Sequence, residues 1–121
     1  MKYSNNKNFD IDLQFAEKAE DWVNQLFSGG YKLEIKSDRL AHKTGNVFIE
    51  IFSRGKPSGL STTEADYWVY RIDECDTAVI VKTNTLKEIV KENFNGTYIL
   101  GGDDYTSKGV LIPIIKLIKR N

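Results

Sequence analysis

The segment that most constrains the fold of this chain is residues 31–59, whose pattern predicts two neighbouring β-strands. In the first of them Glu34, Lys36 and Asp38 alternate with uncharged residues. Successive side chains of a strand point to opposite faces, so the three charged groups share one side of the sheet. The apolar side chains of this strand take the other side.

The second strand, residues 47–52, is β-branched and aromatic, and the turn-forming residues 44–46 precede it. Glu50 is its only charge. A lone carboxylate in an apolar strand is costly to bury unless a positive group compensates it. Because the link between the strands is rich in turn residues, we expect the strands to pair and the carboxylates of Asp38 and Glu50 to form a metal site.

Composition places the chain among ordinary globular proteins, with 40% apolar and 28% charged residues and a formal net charge of zero. A length of 121 residues fits one domain, with residues 1–9 as a flexible N-terminus. We find no signal pattern and no run of about 18 apolar residues, so we expect a cytoplasmic protein without membrane contact. Cys75 is the only cysteine and lies among acids, which excludes internal disulfides and disfavours a reactive thiolate.

Charge is unevenly distributed along the chain. Residues 32–56 are rich in Lys and Arg and contain His42, whereas the charged residues of 64–76 are mainly acidic. This segregation is typical of a basic rim around an acidic pocket, which a metal-dependent enzyme acting on phosphates would need. Two solvated loops of opposite sign would produce the same pattern.

Residues 10–27 predict an amphipathic helix, because their apolar side chains recur at a spacing of 3.6 residues and residues 28–30 (SGG) end it. Glu20 lies at the edge of the apolar stripe, whereas Glu17 lies on the polar side. If this helix packs on the sheet, Glu20 reaches the acidic face more easily. Both acids also fit a solvated helix face.

A loop rich in Gly and Pro, residues 54–59, follows the second strand. A capping-box pattern at residues 61–64 then predicts a short helix up to residue 70. Basic loop residues before a hydroxyl-rich helix N-terminus would make a phosphate cradle, although a capped helix after a turn explains the same pattern. The residues of that cradle would be Arg54, Lys56, Ser61 and Thr62.

The rest of the chain predicts a buried strand at residues 77–82, a helix from a second capping box at Thr85 to about residue 93, and a strand at residues 97–100. The apolar segment 110–118 contains Pro113 and fits either a strand or a helix. This order of elements predicts an α/β fold, a single domain with a central mixed β-sheet flanked by helices.

Metal-dependent phosphodiester hydrolysis requires carboxylates that hold Mg²⁺, a cation near the attacking water and a groove for a polyanion. Asp38, Glu50 and, from the helix, Glu20 are the candidate ligands for Mg²⁺, or for Mn²⁺ in its place. Lys36 lies two residues before Asp38 on the same face and would orient or deprotonate water or stabilise the phosphate in the transition state.

These residues resemble the restriction-endonuclease-like superfamily of nucleases, which carries the PD-(D/E)XK motif. That motif places a helical Glu first, then an Asp on one strand and Glu-x-Lys on the next. The resemblance implies catalytic and metal-binding roles for a helical acid, Glu20 or else Glu17, for Asp38 as the strand Asp, and for Glu50 as the acid of the next strand.

The chain departs from this motif at Phe52, which stands where the family has lysine. In several branches of the superfamily the lysine lies on a neighbouring element. Lys36 is the best-placed replacement, ahead of Lys56 and Arg54. In an alternative register, residues 34–36 (EIK) are themselves the Glu-x-Lys motif.

The segments TGN (residues 44–46) and RGKPSG (residues 54–59) are also similar to small phage-encoded members of this superfamily, described as endonucleases or Holliday junction resolvases. This resemblance covers residues 10–82 and implies DNA as substrate and the host cytoplasm as location. One site cuts one strand, so symmetric cutting of a duplex or junction would call for a homodimer. Side chains expected to contact nucleic acid are those of Arg39, His42, Lys43, Arg54, Lys56, Ser61 and Thr62.

Two other functions remain open at this point. A nuclease fold that has lost its reaction would still bind DNA, and Phe52 in place of lysine motivates this alternative. A small phage interaction protein would use the sheet only as a scaffold. These alternatives differ in whether Mg²⁺-dependent cleavage and DNA binding are observed.

Overall fold

The computed structural model describes residues 6–102 and 105–119, with side chains from residue 12 onward. The chain divides into two compact units, residues 1–31 and 32–121. The first unit contains one described helix, α1 (Asn6–Phe27), which confirms the predicted helix and begins it earlier than residue 10. Of the expected flexible N-terminus, residues 1–5 lie outside the described part, and residues 6–9 belong to α1.

The second unit is an α/β domain with two β-sheets in place of the single central sheet that was expected. The first sheet is mixed: β1 (Leu33–Asp38) is parallel to β4 (Tyr67–Ile72), and β4 is antiparallel to β5 (Thr77–Lys82). The second sheet is antiparallel, in the order β3 (Lys56–Pro57), β2 (Asn46–Ser53), β7 (Ser107–Pro113) and β6 (Ile99–Gly101). The helices of this unit are α2 (Ala41–Thr44), α3 (Thr83–Asn93) and α4 (Ile114–Ile118).

One hydrophobic core joins both sheets to α3 and α4. Its largest fully buried side chains include Trp68 and Tyr70 from the first sheet, Ile49 and Ile112 from the second, and Leu86 from α3. Burying such side chains supplies most of the stabilisation of a domain of this size. None of the described helices has the length and apolar character needed to cross a membrane.

The predicted pairing of the two strands at residues 31–59 is wrong. β1 and β2 belong to different sheets, and α2 lies between them. The carboxylate of Asp38 accepts hydrogen bonds from the backbone N–H groups of Leu40 and Ala41, at 3.0 and 2.9 Å, and so stabilises the start of α2. Gly45, with a φ of +75°, ends α2 in the left-handed conformation. The turn signals in this link therefore belong to a helical turn.

The predicted helix at residues 64–70 is also wrong, because residues 67–72 form the strand β4. Trp68, Tyr70 and Ile72 are buried and alternate with more exposed residues, which is the two-residue period of a strand. The region before it is a 3₁₀ turn at Gly59–Ser61 followed by irregular chain. Ser61 thus does not cap a helix.

The C-terminal half agrees better with the predictions. β5 and α3 are confirmed, although α3 begins at Thr83 and has no side-chain capping hydrogen bond. The predicted strand at 97–100 corresponds to β6. The apolar segment 110–118 is both strand and helix: β7 ends at Pro113, and α4 follows directly. Proline cannot continue the hydrogen bonding of a sheet but is tolerated at a helix start, which explains the switch.

Candidate functional site

Two adjoining clefts in the second unit share Lys36 and Glu50. The smaller has a volume of about 310 Å³ and the larger about 670 Å³. Asp38, Trp68 and Tyr70 also line the smaller cleft. Lys36, Asp38 and Glu50 therefore lie around one cleft, although the strands that carry them are not paired.

The strand register explains which face carries the charged groups. Glu34 lies beside Trp68 and Lys36 beside Tyr70 in the parallel pair of β1 and β4. Side chains of residues that pair across two strands point to the same face of the sheet. The charged side chains of β1 therefore lie on the same face as the buried side chains of β4. The opposite side of β1 bears Ile35, which is 66% exposed. The charged groups thus lie at the edge of the core, where a cleft can form.

Glu50 is held by two serine hydroxyls. Ser58 Oγ donates to Oε2 at 3.0 Å, and Ser107 Oγ donates to Oε1 at 2.5 Å. Gly59, with a φ of +55°, packs so closely on the Glu50 backbone that an added Cβ would lie 2.3 Å from its carbonyl oxygen. The SG pair of the RGKPSG segment thus positions Glu50, a role that sequence reasoning missed because it read the segment as a phosphate-binding loop.

The Asp38 carboxylate accepts more hydrogen bonds than the Glu50 carboxylate. Besides the two bonds to α2, its Oδ2 accepts a hydrogen bond from the backbone N–H of Phe48 at 3.0 Å. An ionised carboxylate offers about four lone-pair sites. Three are used at Asp38, and two at Glu50. Asp38 therefore joins β1, α2 and β2, and retains about one site for a ligand, whereas Glu50 retains about two.

Lys36 is the cation nearest these carboxylates along the strand. Its Nζ lies 3.9 Å from Glu34 Oε1 and 5.9 Å from the ring centroid of Trp68. The Lys36 and Glu34 side chains are about half exposed, and a pair in that setting adds little stability. The ammonium group can therefore turn toward an anion in the cleft at small energetic cost.

The remaining predicted residues are spread over several elements. Glu20 and Glu17 lie on α1 in the first unit with exposed side chains. Arg39 lines the smaller cleft and Thr62 the larger. The other four basic residues are exposed, in α2, in the turn after β2 and in β3; they are His42, Lys43, Arg54 and Lys56.

The predicted phosphate cradle is not present in the second unit. Ser61 lies in a 3₁₀ turn, and its hydroxyl donates to the carbonyl oxygens of Ser58, at 2.9 Å, and Ile51. No α-helix begins there, so the free N–H groups that would bind a phosphate are missing. Ser61 therefore stabilises the loop that presents Ser58 to Glu50.

The side-chain ligands available in this cleft can be compared with those that divalent metal ions require. In the part of the chain that the structure describes, no group of three or more His, Cys, Asp or Glu is arranged to hold a metal ion. This arrangement does not fit a structural zinc site. Mg²⁺, in contrast, is commonly held by one or two carboxylates together with waters and substrate phosphates. Asp38 and Glu50, with unused lone pairs in one cleft, fit that mode.

Sequence analysis did not select Trp68 or Tyr70 as site residues, although both line the smaller cleft. Burial, and after it the negative charges of Asp38, Glu34 and Glu50, raises the pKa of the Tyr70 hydroxyl above its ordinary value. Only the parallel register of β4 with β1 reveals this neighbourhood, and that register is a long-range feature. Comparison of the chain with family models, curated proteins and solved structures finds no match.

Proposed function

We propose that this protein is a Mg²⁺-dependent endonuclease that hydrolyses phosphodiester bonds in DNA, with a restriction-endonuclease-like set of catalytic groups. The observation that supports this most is that Lys36, Asp38 and Glu50 line one cleft. Two carboxylates and a nearby ammonium group are components that metal-assisted phosphodiester hydrolysis can use.

Each group has a role that follows from its surroundings. Asp38 and Glu50 would hold Mg²⁺ or Mn²⁺, and the metal-binding role of Glu20, which lies on α1 in the first unit, stays a prediction. When bound, the cation would neutralise charge on the phosphate and favour the ionisation of a water molecule. The Lys36 ammonium would stabilise the negative charge that develops on the phosphate oxygens. The serines that bind Glu50 would keep its carboxylate in one orientation.

A β-bulge supports Lys36 in place of the lysine that the motif expects at position 52. Glu50 pairs with Gly109, but Phe52 pairs with Lys108, so the register shifts by one residue between them. A bulge of this kind turns the following side chain to the other face. Phe52 accordingly packs edge-on against Tyr98, with ring centroids 5.3 Å apart. A lysine at position 52 would point away from Glu50.

DNA would contact the basic residues before and within α2 and those at the turn after β2. Arg39 lines the smaller cleft, and His42 and Lys43 follow on α2. Arg54 and Lys56 lie at the turn between β2 and β3. Because one site cuts one strand, we propose a homodimer for the cutting of both strands of a duplex or junction.

The test is cleavage of labelled duplex, single-stranded and four-way-junction DNA, with Mg²⁺ and with a chelator. We expect the wild-type protein to cut at least one substrate only when Mg²⁺ or Mn²⁺ is present. Lys36→Ala should lower the rate by about 100-fold, the usual effect of removing one group that stabilises transition-state charge. Lys87→Ala, which removes an exposed lysine of α3 outside the two clefts, is the matched control.

Two results would count against these assignments. Cleavage that survives in Lys36→Ala but is lost in Lys56→Ala or Arg54→Ala would move the catalytic cation to the β2–β3 turn. Absence of cleavage with retained DNA binding would favour a second function, that of a non-catalytic DNA-binding protein. The three backbone hydrogen bonds of Asp38 favour that alternative, because they give this carboxylate a purely structural use.

A further inference from the structure

Trp68 and Tyr70 line the smaller cleft, and each carries a buried polar atom without a partner in the described part of the chain. The residues are only 1% and 2% exposed. Among the described residues, no hydrogen-bond partner exists for Trp68 Nε1 or for the Tyr70 hydroxyl. Leaving a buried donor unpaired is energetically costly, so native proteins nearly always supply such groups with a partner. These two atoms therefore indicate a bound acceptor.

The two side chains lie next to each other in the sheet. They are two residues apart on β4 and share a face, and their rings stack with centroids 6.0 Å apart. Both line the cleft that also contains Asp38, Glu50 and Lys36. An acceptor bound to them would lie within the proposed catalytic site.

The Trp68 indole and the Tyr70 hydroxyl determine which kind of ligand atom can bind to them. An indole N–H can only donate a hydrogen bond. A tyrosine hydroxyl is protonated at neutral pH and can therefore donate a hydrogen bond as well. Two donors on one face of the same strand favour a ligand with several acceptor oxygens, such as a phosphate.

We propose that Trp68 Nε1–H and the Tyr70 hydroxyl donate hydrogen bonds to the non-bridging oxygens of the substrate phosphodiester, an inference that rests on the proposed function. The ammonium group of Lys36, 5.9 Å from the Trp68 ring centroid, adds positive charge beside this position. The neighbouring carboxylates would repel an anion unless a divalent cation offset them. Phosphate binding to the donor pair should therefore depend on Mg²⁺.

Dimethyl phosphate, a minimal phosphodiester, is the probe for this test. The chain has two tryptophans, so the ¹⁵N-labelled protein has two indole N–H signals in its NMR spectrum, and Trp68→Phe assigns them. With Mg²⁺ present, we expect dimethyl phosphate to shift the Trp68 signal and to leave that of Trp22 unchanged. Without Mg²⁺ the shift should be absent.

A variant that lacks only the Tyr70 hydroxyl tests the contribution of the donor pair to phosphate binding. Tyr70→Phe should weaken dimethyl phosphate binding by about tenfold, the loss expected for one hydrogen bond to a charged acceptor. Its thermal midpoint without ligand should be unchanged or higher, because an unpaired buried hydroxyl has been removed. Tyr98→Phe, at a partly exposed tyrosine outside the two clefts, is the matched control.

The outcomes distinguish this inference from the proposed function. A Trp68 signal that does not respond, in a protein that still cuts DNA with Mg²⁺, would overturn the donor pair and leave the nuclease intact. A Mg²⁺-dependent shift without cleavage would uphold the pair and overturn the catalytic assignment. Loss of stability in Tyr70→Phe with unchanged phosphate binding would show that the hydroxyl has a structural partner, and would also overturn the pair.

Discussion

Glu50→Gln should cut DNA at least about 100-fold more slowly than the wild type at the same Mg²⁺ concentration, with the fold retained. The substitution removes the negative charge that would hold the cation but preserves the shape of the side chain. A glutamine can accept a hydrogen bond from one of the two serines and donate to the hydroxyl of the other, Ser58 or Ser107. The loss should therefore be catalytic.

Cleavage rates and circular dichroism of the variant and wild type check this prediction. Glu64→Gln is the matched control, since Glu64 lines the larger cleft with a largely exposed side chain, 4.0 Å from Lys32. Glu64→Gln should cut at the wild-type rate. Equal activity of Glu50→Gln and wild type would remove Glu50 from the metal site.

Asp38→Asn should lower the free energy of unfolding by about 2–4 kcal/mol, because hydrogen bonds to a charged acceptor contribute about 1.5–3 kcal/mol each. The carboxylate accepts three backbone N–H groups through both of its oxygens. An asparagine has only one acceptor oxygen, and its NH₂ group would face at least one backbone donor. The link between β1, α2 and β2 would lose part of its stabilisation.

Urea unfolding of the variant and the wild type measures this loss. Asp66→Asn is the matched control, since the Asp66 carboxylate accepts one backbone bond, from Lys32 N at 2.8 Å, in an exposed setting. Asp66→Asn should lower the free energy of unfolding by clearly less than Asp38→Asn does. Equal losses in the two variants would contradict the structural role of Asp38. Because of this role, loss of cleavage in Asp38→Asn alone cannot identify a metal ligand, and the Glu50 variant is the cleaner test.

Local patterns in the sequence were sufficient for much of the fold. The 3.6-residue spacing of apolar side chains predicted α1, and the short apolar run at 77–82 predicted β5. Alternation placed Glu34, Lys36 and Asp38 on one face of β1, in agreement with the strand that is observed. Each of these features depends on neighbours along the chain, which the sequence displays directly.

The errors arose where distant parts of the chain decide the structure. The capping-box pattern at residues 61–64 favoured a helix, but β4 gains more by pairing with β1 on one side and β5 on the other. The turn signals at residues 44–46 favoured a hairpin, but the Asp38 carboxylate stabilises α2 instead. Propensity is a weak prior that tertiary contacts override.

The candidate site, like the fold, was predicted from the sequence only in part. Sequence patterns selected Lys36, Asp38 and Glu50, which line one cleft in the structure. The β-bulge that turns Phe52 away from Glu50 depends on the register with β7, and the place of Tyr70 depends on the parallel register with β1. Neither register can be read from local sequence.

Iron-directed cleavage of the protein chain is the most direct test of the central claim, that a divalent cation binds between Asp38 and Glu50. Fe²⁺ would replace Mg²⁺, and with ascorbate and peroxide it would generate radicals that cut the backbone next to the bound ion. We predict cuts near residues 38, 50 and 70, which excess Mg²⁺ suppresses and Glu50→Gln abolishes. Cuts confined to other segments, or equally strong cuts in Glu50→Gln, would contradict a metal site in this cleft.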